Sequence, residues 1–248
     1  MQILIAGSPG LEQIAPTEDW GGCGTLAFAK ADPAMEGRLP LLNLYSFGKA
    51  VTYPVVRGLF SIRYEGLENI PKQGGFILAC NHRSNFDPVL IAHKVPHQIH
   101  YLAKDELVRI AVVGSIIRNL GVVPIKRGTG DKQALEAAIA VLRQGGVLGI
   151  FPEGHRSPDG TPLRPHSGVA LIAGQTGADV LPCAVSYGPK LGFRIPITIR
   201  YGKLIPNEEL GVDISSPSTL KAATRRIMED IVAMLDYKGP AALPEKST

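Results

Sequence analysis

The chain has 248 residues, with 26 Lys+Arg against 22 Asp+Glu, 45% hydrophobic residues and a mean hydropathy of +0.10. That length suits one domain of about 200–250 residues or two small ones, too apolar for a disordered chain and not apolar enough for a multi-span membrane protein. Aromatics at 6% and a net charge of +4 do not make a base-stacking surface, so no nucleic-acid partner is expected.

Residues 1–37 carry one base, Lys30, against Glu12, Glu18, Asp19, Asp32 and Glu36, which puts −4 there and leaves +8 on residues 38–248. This stretch shows neither helical nor strand periodicity, and no basic region precedes Ile3–Ile5 as a secretory signal requires. It is expected to be an accessory arm, or sequence upstream of a natural start at Met35. Cys23, Cys80 and Cys183 are too few and too scattered for a disulfide framework and favour a reducing compartment; Cys80 and Cys183 sit in apolar runs as small core residues.

From Leu39 to Phe60 the chain reads LPLLNLYSFGKAVTYPVVRGLF. Lys49, Pro54 and Arg57 interrupt it, which excludes a spanning helix of about 20 uncharged residues. Leu41, Leu44, Tyr45, Gly48, Val51 and Val55 recur at helical spacing, with Arg38, Lys49 and Arg57 as snorkelling bases. The pattern predicts a helical segment over 38–60 lying in a bilayer interface; the alternative is an amphipathic helix packed on the domain.

Beyond Ser61 apolar runs of strand length fall at Phe76–Cys80, His100–Ala103, Val122–Ile125, Val147–Phe151 and Val180–Val185, followed by the period-2 segment Arg194–Tyr201. Helical patterns lie between and after them. Asp131–Gln144 has Leu135, Ala138, Ile139 and Leu142 on one face, Asp131 as N-cap and Gly145-Gly146 as the stop. Pro217–Asp236 has Leu220, Ala223, Ile227, Ile231 and Leu235 on one face behind Ser216. Strands alternating with helices predict one α/β domain over 61–238, a largely parallel mixed sheet flanked by helices, with residues 239–248 as a loose tail.

In open α/β sheets sites form beyond the carboxyl ends of strands. Phe76–Cys80 runs into Asn81, His82, Arg83, Ser84, Asn85, Phe86 and Asp87; Val147–Phe151 runs into Pro152, Glu153, Gly154, His155, Arg156 and Ser157; Val122–Ile125 ends in Lys126, Arg127 and Gly128. His82 and Asp87 form an HxxxxD pair. A His can take a proton from a hydroxyl near neutral pH if a carboxylate fixes its tautomer, though the pair alone is a weak signal and a capped turn with a solvated His is the alternative. His93, His97 and His100 lack acidic partners at ligand spacing, and no metal is expected. There is no G-x-S-x-G elbow for a Ser hydrolase and no Walker loop.

Five blocks then carry a resemblance. NHRSNFD at 81–87, AKDEL at 103–107, GVVPIKR at 121–127, FPEGHRS at 151–157 and VLPCAV at 180–185 resemble, in the same order, the PlsC family of glycerolipid acyltransferases over about residues 60–215. The resemblance implies acyl transfer from acyl-CoA or acyl-acyl carrier protein to 1-acylglycerol 3-phosphate (lysophosphatidic acid) at an anionic membrane surface, the donor being a co-substrate and no cofactor being needed. It implies His82 as general base oriented by Asp87, Lys104 and Arg127 as phosphate ligands, and Glu153, Gly154 and Arg156 as the acceptor-binding block. Glu153 paired with Arg156 to hold the turn is the structural alternative. His155 stands where the family usually carries Thr, and Lys126 where it often carries an acid; both changes bear on the acceptor. Glycerol 3-phosphate or another lysolipid is an alternative acceptor, and a thioester hydrolase or a lipid-binding module are the readings from other classes. The expected location is the cytoplasmic face of the cell membrane, peripheral.

Overall fold

A computed structural model describes residues 44–104, 122–125, 130–157, 159–188 and 194–236. The expectations for residues 1–37, Arg38, Lys126, Arg127 and 239–248 lie outside the described residues.

The first described element is helix α1, Leu44–Leu59. One face packs on the domain: Tyr45 and Val56 are buried, and Lys49 Nζ donates to the Val95 carbonyl at 2.8 Å. Lys49 is therefore turned toward the protein and is not a snorkelling base. A neighbouring stripe, Val51, Val55 and Leu59, is 50%, 58% and 50% exposed. One helix thus has a face packed on the domain and an exposed apolar stripe beside it. Among the described residues no helix is long and apolar enough to cross a membrane.

Strand β1, Phe60–Glu65, follows α1 without a loop and is an addition to the six expected strands. Its sequence FSIRYE alternates with period 2, but it abuts a helical pattern, and Gly58 just before it lies inside the helix and makes no turn. The other strands are β2 Ile77–Cys80, β3 Ile99–Lys104, β4 Val122–Ile125, β5 Val147–Ile150, β6 Val180–Tyr187 and β7 Ile195–Tyr201. Among the described residues they form one sheet in the order β1-β7-β6-β2-β5-β3-β4, in which the β6–β7 pairing is antiparallel and the other pairings are parallel.

Among the described residues four more helices cover the sheet: α2 Asp87–Ala92, α3 Gly130–Arg143, α4 Gly168–Thr176 and α5 Pro217–Ala233. Helix α3 starts one residue earlier than expected, so Asp131 lies inside it and not at its N-cap. Gly145, at φ 76°, supplies the left-handed stop. Ser216 is the N-cap residue of α5 without a side-chain capping bond, its hydroxyl lying 2.8 Å from that of Ser218. Helices α2 and α4 had no sequence signal. The first is six residues long, and the second, GVALIAGQT, is apolar on most sides and lacks the contrast an amphipathic pattern needs.

Strand alternation sends side chains to two cores. Ile77, Ala79, Val180 and Ala184 meet α3, α4 and α5 on one face; Leu78, Cys80, Leu181, Cys183 and Val185 meet α1 and α2 on the other. The central strands β2 and β5 are parallel neighbours, so their carboxyl ends lie side by side. From β2 the chain passes over one face, by α2, to β3; from β5 it passes over the other face, by α4, to β6. Connections that diverge from adjacent strands leave a crevice between their loops.

Candidate active site

The crevice holds the two loops that carry His82 and Glu153. After β2 the chain turns back so that His82 Nδ1 lies 3.0 Å from Asp87 Oδ2. The same oxygen accepts the backbone N–H groups of Arg83 and Ser84, each at 2.7 Å, and Oδ1 accepts the Tyr187 hydroxyl at 2.7 Å. Asp87 is fully buried, and these four donors replace the water it has lost. The His82 side chain is 18% exposed. With Nδ1–H committed to Asp87, Nε2 carries the lone pair and has no partner among the described residues.

The imidazole face is held as well. His82 stacks on Phe151 with centroids 4.0 Å apart and planes 19° apart, and Phe151 stacks on Tyr101 at 5.8 Å and 12°. The column exists because position 149 is glycine: a Cβ there would collide with the Tyr101 ring. The two loops are also joined through the backbone, Ser157 N–H donating to the His82 carbonyl at 2.7 Å. Asn81, buried one residue earlier, pairs with the Val185 amide and carbonyl and ties β2 to β6.

Glu153 is buried, and its Oε2 has no hydrogen-bond partner. Burial pushes its pKa up to about 7, against the pull of the His82 and Leu163 amides and with a further rise from the negative charge of Asp87. Arg156 is exposed and makes no ion pair with it, so the two do not hold the turn as a salt bridge. Gly154, at φ 70°, takes the left-handed conformation, and a Cβ there would come within 2.9 Å of the His166 ring. Lys104 closes β3, in register with Ile125 of β4; its side chain, and all of Arg127, lie outside the described residues.

Of the expected site residues, His82, Asp87, Glu153 and Gly154 therefore come together in one crevice. Phe151 belongs to the FPEGHRS block but carried no role in the sequence, and Tyr187 and Arg83 carried none either. Arg83 donates to the Tyr187 carbonyl at 3.2 Å, and its guanidinium lies 5.3 Å from the Tyr187 ring centre. The β2–β6 register, which pairs Cys80 with Cys183, brings residues 100 positions apart to one place, and no spacing rule reports it. His93 and His97 lie against the backbone carbonyls of Val89 and Pro71.

Comparison with known proteins fits this geometry. The family model described as Acyltransferase matches residues 61–186. The 1-acyl-sn-glycerol-3-phosphate acyltransferase of Bacillus subtilis (strain 168) is 33% identical over 126 residues, 50% of this chain and 62% of the relative. The protein of the same name from Borreliella burgdorferi is 35% identical over 119 residues, 47% of this chain and 48% of the relative. The chain thus spans about half to three fifths of the length of these curated relatives. The crystal structure of the 1-acyl-sn-glycerophosphate acyltransferase PlsC from Thermotoga maritima superposes with a TM-score of 0.58 at 30% identity, covering 74% of this chain and 76% of that one.

Proposed function

The chain belongs to the PlsC family of acyltransferases, and on that premise we propose that it moves a fatty acyl group from an acyl thioester to the sn-2 hydroxyl of 1-acylglycerol 3-phosphate, giving phosphatidic acid. The observation that carries this is the free Nε2 of His82, on an imidazole fixed at Nδ1 by a buried Asp87 and partly open to solvent. In the proposed step Nε2 takes the proton of the acceptor hydroxyl as its oxygen attacks the thioester carbonyl. The C–O bond forms, the tetrahedral intermediate collapses, the C–S bond breaks, and the imidazolium returns its proton to the departing thiolate. Asp87 stabilises the imidazolium. No covalent acyl-enzyme intervenes, and no resident cofactor takes part.

Lys104, Arg127 and Arg156 are the proposed phosphate ligands, Arg being suited to bidentate contact with phosphate oxygens. Glu153 and Gly154 complete the acceptor site. Acyl-CoA and acyl-acyl carrier protein present the same thioester, and both are proposed donors. The exposed stripe of α1 supports docking on an anionic membrane from its cytoplasmic face. Beside it, Phe86, from the His82–Asp87 loop, is 46% exposed with its ring 5.7 Å from that of Phe60. Exposed Arg57 and Arg63 are the bases for lipid phosphates.

The test is a panel of labelled acyl-CoA and acyl-acyl carrier protein against lysophosphatidic acid, glycerol 3-phosphate and other lysolipids. Phosphatidic acid is the expected product, and His82→Ala should lower its formation by about 10²–10⁴-fold with an unchanged circular dichroism spectrum. Free fatty acid without phosphatidic acid would make the protein a thioester hydrolase. An unconsumed donor throughout would leave a lipid-binding module.

A further inference from the structure

Three of the four donors on Asp87 travel with it. His82 Nδ1 and the amides of Arg83 and Ser84 belong to the same loop, so they shape the loop without fixing it to the sheet. The fourth, the Tyr187 hydroxyl at 2.7 Å from Oδ1, comes from the last residue of β6 and is the one donor to this carboxylate, among the described residues, from another element. Tyr187 is itself braced from the loop side. Arg83 holds its carbonyl at 3.2 Å and covers its ring at 5.3 Å, and Gly160 lies so close behind that guanidinium that a Cβ there would stand 3.1 Å from it.

We propose that Tyr187 is a positioning residue of the His82–Asp87 pair: its phenol hydrogen bond locks the carboxylate plane to the sheet and sets how much negative charge Asp87 offers the imidazole. The proposal rests on the acyl-transfer reading of the site and assigns to it a residue outside the motif blocks. Burial and the neighbouring Asp87 push the Tyr187 pKa well up, so the phenol stays a neutral donor across the working range.

The groups facing Asp87 are Cys80 from β2, His82 and Arg83 from its loop, Tyr101 from β3, Glu153 after β5, and Tyr187 from β6. Burial raises Cys80, Tyr101 and Tyr187 and keeps them neutral. Glu153, which burial raises to about 7, is the other group of this set that titrates within the range of the pH profiles.

The sign follows from the bond. Removing the phenol donor leaves more charge on Asp87 for the imidazolium, so His82 holds its proton to higher pH and the active free base appears later. A stronger donor does the opposite. The experiment measures phosphatidic acid formation by the full chain from pH 5 to 9, in wild type, Tyr187→Phe, and a chain with 3-fluorotyrosine incorporated at position 187. Tyr187→Phe should lose about 10- to 100-fold in kcat with little change in either KM, the scale of a hydrogen bond to a charged group. The acidic limb of kcat/KM should move to higher pH in the Phe variant and to lower pH in the fluorotyrosine protein. Acidic limbs that coincide with wild type in both, whatever happens to Tm, or a loss confined to KM, would overturn the assignment. If the wild type makes no phosphatidic acid, the failure belongs to the functional reading. The Nδ1–H proton resonance of His82 then decides on Tyr187, since the two substitutions should shift it in opposite directions and an unmoved resonance would refute the coupling. Fluorotyrosine keeps the shape of the native residue and so retains a test if the Phe variant does not fold.

Discussion

Asp87 and Glu153 are two buried carboxyls in one crevice with opposite surroundings. Four donors meet the two oxygens of Asp87, whereas Glu153 has an oxygen with no partner and a pKa pushed up to about 7. A carboxyl with a higher pKa in the fold keeps its proton where the unfolded chain has already lost it, so stability falls as pH rises from about 4.5 to about 7 and does not recover above. Glu153→Gln removes that ionisation. Its Tm should match wild type near pH 4.5 and exceed it at pH 8, as measured by thermal unfolding across the range. A variant less stable than wild type at pH 8 would mean that the ionised carboxylate is paired. The stacked column gives a second residue-level lesson: Gly149 touches neither member of the pair, yet any side chain there displaces Tyr101, then Phe151, then the imidazole.

At the scale of elements, α1 combines a packed face and an outward apolar stripe on 16 residues. Deleting the whole segment would strip Tyr45 and Val56 from the core as well as the stripe, so point changes separate the two roles. Val55→Glu with Leu59→Glu, both at exposed positions, should abolish sedimentation with anionic vesicles while moving Tm by no more than a few degrees. Undiminished sedimentation would place the attachment surface elsewhere. The elements legible in the sequence were those whose burial is one-sided or whose run is long. Helices α3 and α5 show the 3.6 period, and β2, β5 and β6 are apolar runs bounded by Gly or polar residues. Strand β1 was hidden by its junction with α1, α2 by its length and α4 by its uniform apolarity. The site divides in the same way. His82 and Asp87 meet within one turn of chain, so their spacing reports them. Phe151 and Tyr187 meet His82 and Asp87 only through the order of strands β6-β2-β5, which local sequence does not encode.

Across the whole molecule, one residue gathers the far edge of the sheet. Arg200 of β7 bonds Glu65 of β1 at 2.7 Å, the Met234 carbonyl at the end of α5 at 2.8 Å and Asp236 at 3.0 Å. Arg200 is 24% exposed, but Glu65 and Asp236 are 40% and 61% exposed, so solvent weakens both ion pairs. Arg200→Met should cost about 1–2 kcal/mol, read as a lower urea midpoint with an unchanged slope. A change below about 0.5 kcal/mol would mean that the contacts are surface pairs without weight.

The divergent connections at the centre of the sheet also govern the order in which the site can come into being during synthesis. Strand β2 emerges early, but its two neighbours, β5 and β6, are translated much later, with Ile77 waiting for Leu148 and Cys80 for Cys183. A ribosome-bound chain that stops before Tyr187 already contains His82 and Asp87, yet Asp87 lacks its partner from β6 and the central strand lacks one side. Such long-range pairing delays folding and exposes an unpaired apolar edge. The unpaired apolar edges of β2 are accordingly expected to stay exposed longest between the making of β2 and the making of β6.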